Sequence, residues 1–254
     1  MKLNALAATA ALGIATTLAV ASDGRAAEIK VLCSNGFQAV MAVLGPQYEK
    51  ATGHKLVVSY SLAAVLGRQI EAGESFDLAI LAPPQIDGLI KQNKIAADSR
   101  RVLAKSGMGV MVRTGASKPD VSSVDAFKQT LLGAKSIAFP PEGQSGIYLV
   151  GLIERLGLTE ALKDKLKRIA NGPLTGETVA KGEAELGITP IGELLAVKGV
   201  SLVGPLPPPL QNYIVQTAGI SPSAAQGAAA RDFLKFLGAP ENIPVIVEKG
   251  MEPG

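Results

Sequence analysis

The stretch Ser136-Ile137-Ala138-Phe139-Pro140-Pro141-Glu142-Gly143-Gln144-Ser145-Gly146-Ile147-Tyr148 combines a short apolar strand, a turn rich in Gly and Ser, and the start of a helix. The helical spacing continues through Leu149, Leu152 and Leu156. N–H groups at a helix N-terminus have no partner within the helix and lie at the positive end of its dipole. The stretch therefore predicts a binding site for a small anion at the helix N-terminus, contacted by Gln144, Ser145 and Gly146. Such a strand-turn-helix site is called a seat below.

Two earlier stretches repeat this strand-turn-helix design. Cys33-Ser34-Asn35-Gly36-Phe37 follows the strand-like run 29–32, and Ser59-Tyr60-Ser61-Leu62-Ala63-Ala64 follows the run 56–58. The candidate contacts in these two seats are Ser34, Asn35, Gly36, Phe37, Ser61, Leu62 and Ala63. Three anion seats in one chain predict a binding protein.

The N-terminus has the features of a secretory signal. Lys2 precedes an uncharged run of apolar and small residues, 3–20, and Ala19-Val20-Ala21 is a cleavage pattern, with a second possible cut at Ala26 or Ala27. A membrane anchor is the alternative, but the run is rich in Ala and Thr and is followed by charged residues. We expect residues 1–27 to be a signal peptide and the protein to be periplasmic.

Composition excludes several classes of function. The net charge of +3 is too small to indicate a basic surface that binds nucleic acid. Cys33 is the only cysteine, so the chain forms no internal disulfide, which suits a bacterial periplasm better than an animal secretory route. One cysteine and one histidine, His54, are too few for a structural zinc site or a two-histidine catalytic one, and we expect no metal and no cofactor.

Short β-branched runs alternate with helical periodicity from residue 28 onward, which predicts α/β layers with parallel sheets. Within the second half of the chain we expect a helix over 160–167 and no regular element over 202–209, where four prolines occur. A loop after residue 113 begins a new set of elements, and the strand 212–217 returns the chain. We expect one lobe from 28–108 and 214–254, a second from 109–213, and a ligand cleft between them.

For single residues, the sequence favours a structural or binding role over a catalytic one. Ser145 as a nucleophile needs Gly at 147, where Ile stands, and the only imidazole belongs to His54 in a turn typical of a surface loop. Cys33 ends an apolar strand and is expected to be a small buried hydrophobe. Tyr148 follows Ser145 by three and shares its helix face, so ligand contact and half-buried packing are equally open.

Four groups of residues carry a resemblance to a known family. They are Arg68 to Gly73 followed by Asp77-Leu78, Gly146-Ile147-Tyr148 with Leu156-Gly157, Gly182-Glu183-Ala184 with Leu186-Gly187-Ile188, and Phe233-Leu234 with Gly250. The chain resembles the periplasmic molybdate-binding proteins of ABC transporters, a branch of the type II solute-binding fold. The resemblance implies two lobes of mixed, mostly parallel sheet flanked by helices, a cleft between them, an ABC permease as partner, and a monomer.

The resemblance also implies five ligand positions, which fall at Gly36, Ala63, Ser145, Gly172 and Pro190. The hydroxyl donors of the family are missing at Gly36, Ala63 and Pro190, and buried oxygens left unpaired cost about 1–3 kcal/mol each. We therefore expect neither molybdate nor tungstate. The smaller side chains predict a larger pocket for a carboxylate-bearing molecule, with other polar groups from residues including Thr175 and Thr189.

The sequence thus favours a periplasmic receptor that captures a small organic anion for an ABC transporter by hinge closure. An alternative is a cofactor-independent isomerase, because some relatives of this branch are periplasmic aconitate isomerases. That chemistry needs an acid/base group, for which Tyr148 is the first candidate, followed by Glu142, Glu193 and Cys33. A receptor for a membrane sensor would use the same cleft, and the sequence does not identify the ligand.

Overall fold

The computed structural model describes residues 26–254, and residues 1–25, which hold most of the predicted signal peptide, lie outside the described residues. Ten strands occur in the described chain: β1 Glu28–Ser34, β2 Lys55–Ser61, β3 Leu78–Leu81, β4 Arg101–Arg113, β5 Ile137–Phe139, β6 Leu166–Arg168, β7 Leu186–Pro190, β8 Val200–Pro205, β9 Tyr213–Ile220 and β10 Glu252–Pro253. The same residues form ten α-helices: α1 Gln38–Thr52, α2 Ala63–Glu71, α3 Pro83–Lys91, α4 Val124–Gly133, α5 Gln144–Arg155, α6 Thr159–Leu162, α7 Gly172–Ala180, α8 Ile191–Leu195, α9 Gly227–Leu237 and α10 Ile243–Glu248.

The strands form one continuous arrangement in the order β2-β1-β3-β9-β4-β7-β5-β6. In the first half, β1 pairs in parallel with β2 and β3, and β9 runs antiparallel between β3 and β4. In the second half, β5 pairs in parallel with β6 and β7, while β7 and β8 run antiparallel to β4. The predicted α/β class is confirmed, with mixed rather than wholly parallel sheets.

Strand β4 belongs to both halves. Its residues up to Gly107 pair with β9, and from Met108 onward they pair with β7 and β8. At the change of partner, the Gln211 side chain accepts a hydrogen bond from the Met108 N–H at 2.8 Å and donates one to the Met108 carbonyl at 3.1 Å. The lobe boundaries at 108/109 and 213/214 stay a prediction.

Each half has its own apolar core. Phe37, Tyr48 and Phe233 pack with α1 and α9 on one face of the first half, and the other face is covered by α2 and α3. Phe127 and Phe139 lie in the largest cluster of the second half. Because helices cover both faces, ligand access is left at the strand ends, where α/β proteins form their sites.

Two local predictions are wrong. The helix expected over 160–167 ends at Leu162, and Leu166–Arg168 forms β6, which pairs with β5. This short, charged edge strand has no apolar alternation, so only the backbone groups offered by β5 define it. The run 202–209 is not irregular throughout, because β8 extends to Pro205 beside β4. Proline is compatible with this position at the end of a strand.

Within residues 26–254, each helix is too short or too polar to cross a bilayer.

Candidate ligand-binding cleft

A cavity of about 110 Å³ lies between the two halves, at the C-terminal ends of the strands. It brings together residues from all three predicted seats and from α7 and α8. Of the residues predicted from the sequence, those lining the cavity are Ser34, Asn35, Gly36, Leu62, Ala63, Gln144, Ser145, Gly172 and Pro190. The predicted seats therefore face one another across a single space.

Three helices point their N-termini at this cavity. Leu62 is the N-cap of α2 and Gly143 the N-cap of α5, and neither cap residue uses a side chain to satisfy the first N–H groups. In α7 the Asn171 side chain accepts only from Leu174 N–H, at 2.9 Å, which leaves the N–H of Gly172 at the cavity. The free N–H groups supply positive potential without a charged side chain.

The start of α5 depends on a close backbone contact. A Cβ atom on Gly146 would overlap the Pro140 carbonyl and come within 2.7 Å of the Pro141 Cα. Glycine at this position therefore lets the Pro140-Pro141 turn fold back on the first helical turn. This packing holds Ser145, 5% exposed, at the cavity wall.

Side chains supply further hydrogen-bonding groups. The Gln85 Oε1 atom is buried and has no hydrogen-bond partner within residues 26–254, and the side chain of Ser145 lies on the cavity wall. Ser34 donates through Oγ to Gln216 Oε1 at 2.5 Å, which leaves the Gln216 amide nitrogen free to donate. Buried polar groups are usually paired, so these groups are available to a ligand.

The space beside Gly36 is not empty. A Cβ atom at this position would lie 2.5 Å from Gln216 Nε2 and 3.5 Å from Glu193 Oε1. The expectation that glycine here enlarges the pocket is therefore wrong, because an amide donor from β9 occupies the place of a side chain. The cavity remains compact as a result.

Glu193 is the most unusual group of the cleft. Its carboxylate occupies the place that a Cβ atom on Gly172 would need. Within the described chain it accepts no hydrogen bond, and the six ion pairs found there do not include it. The residue is half-buried, and desolvation by the surrounding protein raises the pKa of its carboxyl to about 7.

The charged side chains that line the cavity are both acidic. They are Glu142, which is exposed, and Glu193. Lysine, arginine and histidine are absent from the lining as far as residues 26–254 define it. An anion in this cleft would therefore be held by backbone and side-chain amides and hydroxyls, and not by a counter-ion.

Five predicted site residues do not line the cavity. Phe37 is fully buried in the core, and Ser61 ends β2 outside the cavity wall. Gly146 packs on Pro140, as described above. Thr189 is buried and its Oγ1 donates to the Pro190 carbonyl at 3.3 Å. Tyr148 turns away and donates to the Leu210 carbonyl at 2.9 Å.

The remaining candidates for acid/base or nucleophilic chemistry are structural. Cys33 is buried in the first core, and burial raises the pKa of its thiol far above the ordinary range. His54 accepts a hydrogen bond through Nδ1 from the Ala27 N–H at 3.1 Å. No group of three or more His, Cys, Asp or Glu side chains in the described part of the chain is arranged to hold a metal ion.

The seats predicted from the sequence did not include Gln85, Gln216 or Glu193. The sequence gives a weak indication for Gln216, because a polar amide follows directly after the apolar start of the strand, Tyr213-Ile214-Val215. Gln85 follows two prolines at the start of α3, where a polar side chain is unremarkable. The sequence indicates Glu193 only as one of several acids for the isomerase alternative.

Two lobes of mixed sheet with a cleft at the strand ends are the architecture of the type II periplasmic binding proteins. The chain belongs to the family of bacterial extracellular solute-binding proteins, whose model matches residues 29–252. It is 32% identical over 231 residues to an aconitate isomerase of Pseudomonas sp., covering 89% of this chain and 87% of that protein. It is also 32% identical over 233 residues to the molybdate-binding protein ModA of Azotobacter vinelandii, covering 88% and 90%.

A solved structure gives the same fold. The periplasmic molybdate-binding protein of Azotobacter vinelandii superposes with a TM-score of 0.75 at 22% identity, over 89% of this chain and 99% of that chain. The recognition of a molybdate-binding-like, type II solute-binding protein is thus confirmed.

Proposed function

We propose that this protein is a periplasmic receptor that binds a small organic acid in the cleft and delivers it to an ABC transporter. The observation that carries the proposal is the composition of the cleft wall. Free N–H groups at the starts of α2, α5 and α7 face the same space as apolar side chains. A molecule with both carboxylate oxygens and a hydrocarbon part would satisfy both kinds of surface.

The size of the cavity favours a compact ligand. Its volume of about 110 Å³ is smaller than the roughly 150 Å³ of a cavity that holds benzene. The enclosed part of the ligand is therefore a few heavy atoms, such as one carboxylate with its neighbouring carbons. The apolar walls for these carbons come from Leu62, Ala63, Pro140, Ile147, Pro190 and Ile214.

The same wall disfavours molybdate and tungstate. A tetrahedral oxyanion presents oxygen in every direction, whereas the side chains of Ala63 and Pro190 offer it no donor. The Gln216 amide restores only one of the donors that the family resemblance would place here.

A thermal-shift panel tests this proposal. We expect cis-aconitate, trans-aconitate or citrate at 1 mM to raise the melting temperature, and molybdate and tungstate to leave it unchanged, since ligand that binds only the folded state stabilises it by mass action. Ser145→Ala should weaken carboxylate binding by about 10- to 100-fold, because one hydrogen bond to a charged group is worth about 1.5–3 kcal/mol.

Ser117→Ala is the matched control, because Ser117 lies on an exposed loop outside the cavity wall. Its affinity should equal that of the unmodified protein. Sub-micromolar binding of molybdate would contradict the proposal, as would the absence of a shift with all three organic acids.

A second candidate function is isomerisation of an unsaturated carboxylic acid. Two observations favour it: the similarity to an aconitate isomerase, and a carboxyl group of pKa about 7 on the cleft wall. In this reaction the Glu193 carboxylate takes a proton from the saturated carbon, the double bond shifts by one position, and the same proton is returned at the far carbon. The step is neutral in redox and needs no cofactor.

Proton NMR in deuterated buffer tests the isomerase. If Glu193 is the acid/base, the unmodified protein should convert cis-aconitate to trans-aconitate or exchange its protons, and Glu193→Gln should slow turnover by about 100-fold or more with little change in affinity. Glu154→Gln, an exposed acid on α5 outside the cavity wall, should keep full activity. An unchanged spectrum with the unmodified protein would rule out this reaction.

A further inference from the structure

Glu193 lies in a wall that separates two cavities. The wall consists of Asn35, Gly36 and Glu193, which line both the ligand cleft and a second cavity of about 500 Å³ on its other side. The second cavity is bounded by residues of α1 and α7, among them Ala42 and Pro173. Glu193 can therefore exchange a proton with solvent from one side while a ligand fills the other.

Two glycines leave the space that the Glu193 carboxylate occupies. A Cβ on Gly172 would overlap it, and a Cβ on Gly36 would lie 3.5 Å from its Oε1 atom. The carboxylate thus lies against the backbone at the N-terminus of α7, and within residues 26–254 it belongs to no ion pair. A partly desolvated carboxylate without a donor is less stable ionised than in water, and protonation relieves that cost.

The neighbouring charges do not neutralise Glu193. Glu142 lines the ligand cleft, and Glu177 and Lys198 line the second cavity. Of the nearby charged groups, Lys181–Glu177, Lys249–Glu248 and Lys105–Glu252 form ion pairs, and Lys198 belongs to none of the six ion pairs of residues 26–254. None of these lysines lines the ligand cleft. An ionised Glu193 would therefore face an anionic ligand with no cation between them.

Two carboxylates that share a site resolve their repulsion by sharing one proton, and the resulting O–H···O⁻ hydrogen bond is short and strong. We propose that the cleft takes up one proton together with a carboxylate ligand, and that Glu193 holds this proton and donates it in a hydrogen bond to the ligand. The inference rests on the proposed receptor function. The raised pKa of Glu193 in the ligand-free protein is consistent with it, because a ligand anion would raise that pKa further.

Titration calorimetry in two buffers of different ionisation enthalpy, phosphate and Tris at pH 8, tests the inference with trans-aconitate, cis-aconitate and citrate as probes. The carboxyl groups of these probes are ionised at this pH. We expect uptake of about one proton per bound ligand, and an affinity that falls about tenfold per pH unit between pH 8 and 9. Glu193→Gln keeps a donor at this position, so it should still bind, with no proton uptake and no dependence on pH.

Glu154→Gln, the exposed acid on α5, should take up the same proton as the unmodified protein. Binding without proton uptake, or uptake that persists in Glu193→Gln, would overturn the inference and leave the receptor function intact. Failure of all three probes to bind would overturn the receptor function, and this inference with it. Turnover of aconitate without proton uptake would also overturn it, since Glu193 would then be the ionised base.

Discussion

Gly146→Ala is expected to lower the free energy of unfolding by about 3 kcal/mol, because its new Cβ would overlap the carbonyl of Pro140. The conflict is with backbone, not with a flexible side chain, so relief requires the Pro140-Pro141 turn or the start of α5 to move. Urea denaturation followed by circular dichroism measures the change. Ligand affinity should fall as well, since the same movement displaces Ser145.

The control for this substitution lies in the same helix. Gly151 is also in α5, and the nearest atom to a Cβ there is Arg155 Nη1 at 3.6 Å. Gly151→Ala should therefore raise the stability by about 0.5–1 kcal/mol, as expected for alanine in a helix interior. Equal effects of the two substitutions would show that the close approach at Gly146 is not what limits this position.

Glu193→Gln should stabilise the ligand-free protein by about 1–3 kcal/mol at pH 8 and have little effect at pH 4. The folded-state pKa of Glu193, about 7, lies above the ordinary glutamate value of 4.5. Its contribution to stability is therefore fully present below about pH 4.5 and is lost as the pH rises through 7. Glutamine stays neutral and avoids that loss.

Urea denaturation at pH 4, 6 and 8 measures this pH dependence. Glu154→Gln removes the same charge from an exposed site and should change the stability by less than about 0.5 kcal/mol at each pH. A gain for Glu193→Gln that is the same at pH 4 and pH 8 would show that titration of Glu193 is not its cause.

The features that local sequence determines were predicted well. The α/β class and the three strand-turn-helix units that contain Ser34, Leu62 and Ser145 follow from sequence patterns of about ten residues. A turn rich in small residues between an apolar strand and a helix specifies its own backbone, so no distant contact is needed to infer it.

The features that depend on distant residues were not. Gln216 reaches the cleft because β9 pairs beside β3, and it meets Ser34 across 182 positions of sequence. The Glu193 carboxylate has room on the cleft wall because Gly36 and Gly172 carry no side chain there. No local sequence pattern indicates this contact between distant residues. The helical spacing places Tyr148 on the same face as Ser145, but the Tyr148 hydroxyl donates to the Leu210 carbonyl in the second half and does not reach the cleft.

The connection at Met108 has a consequence for how the protein can be altered. Gln211 hydrogen-bonds to both backbone groups of Met108, at the joint where β4 passes from its pairing with β9 to its pairing with β7. This joint shares no residue with the wall of the ligand cleft. The crossing at Met108 and the ligand contacts therefore lie in separate parts of the chain, whereas the second crossing, at 213/214, contributes Ile214 to the cleft wall. Substitutions at the other cleft residues can change the ligand without altering the hydrogen bonds at Met108.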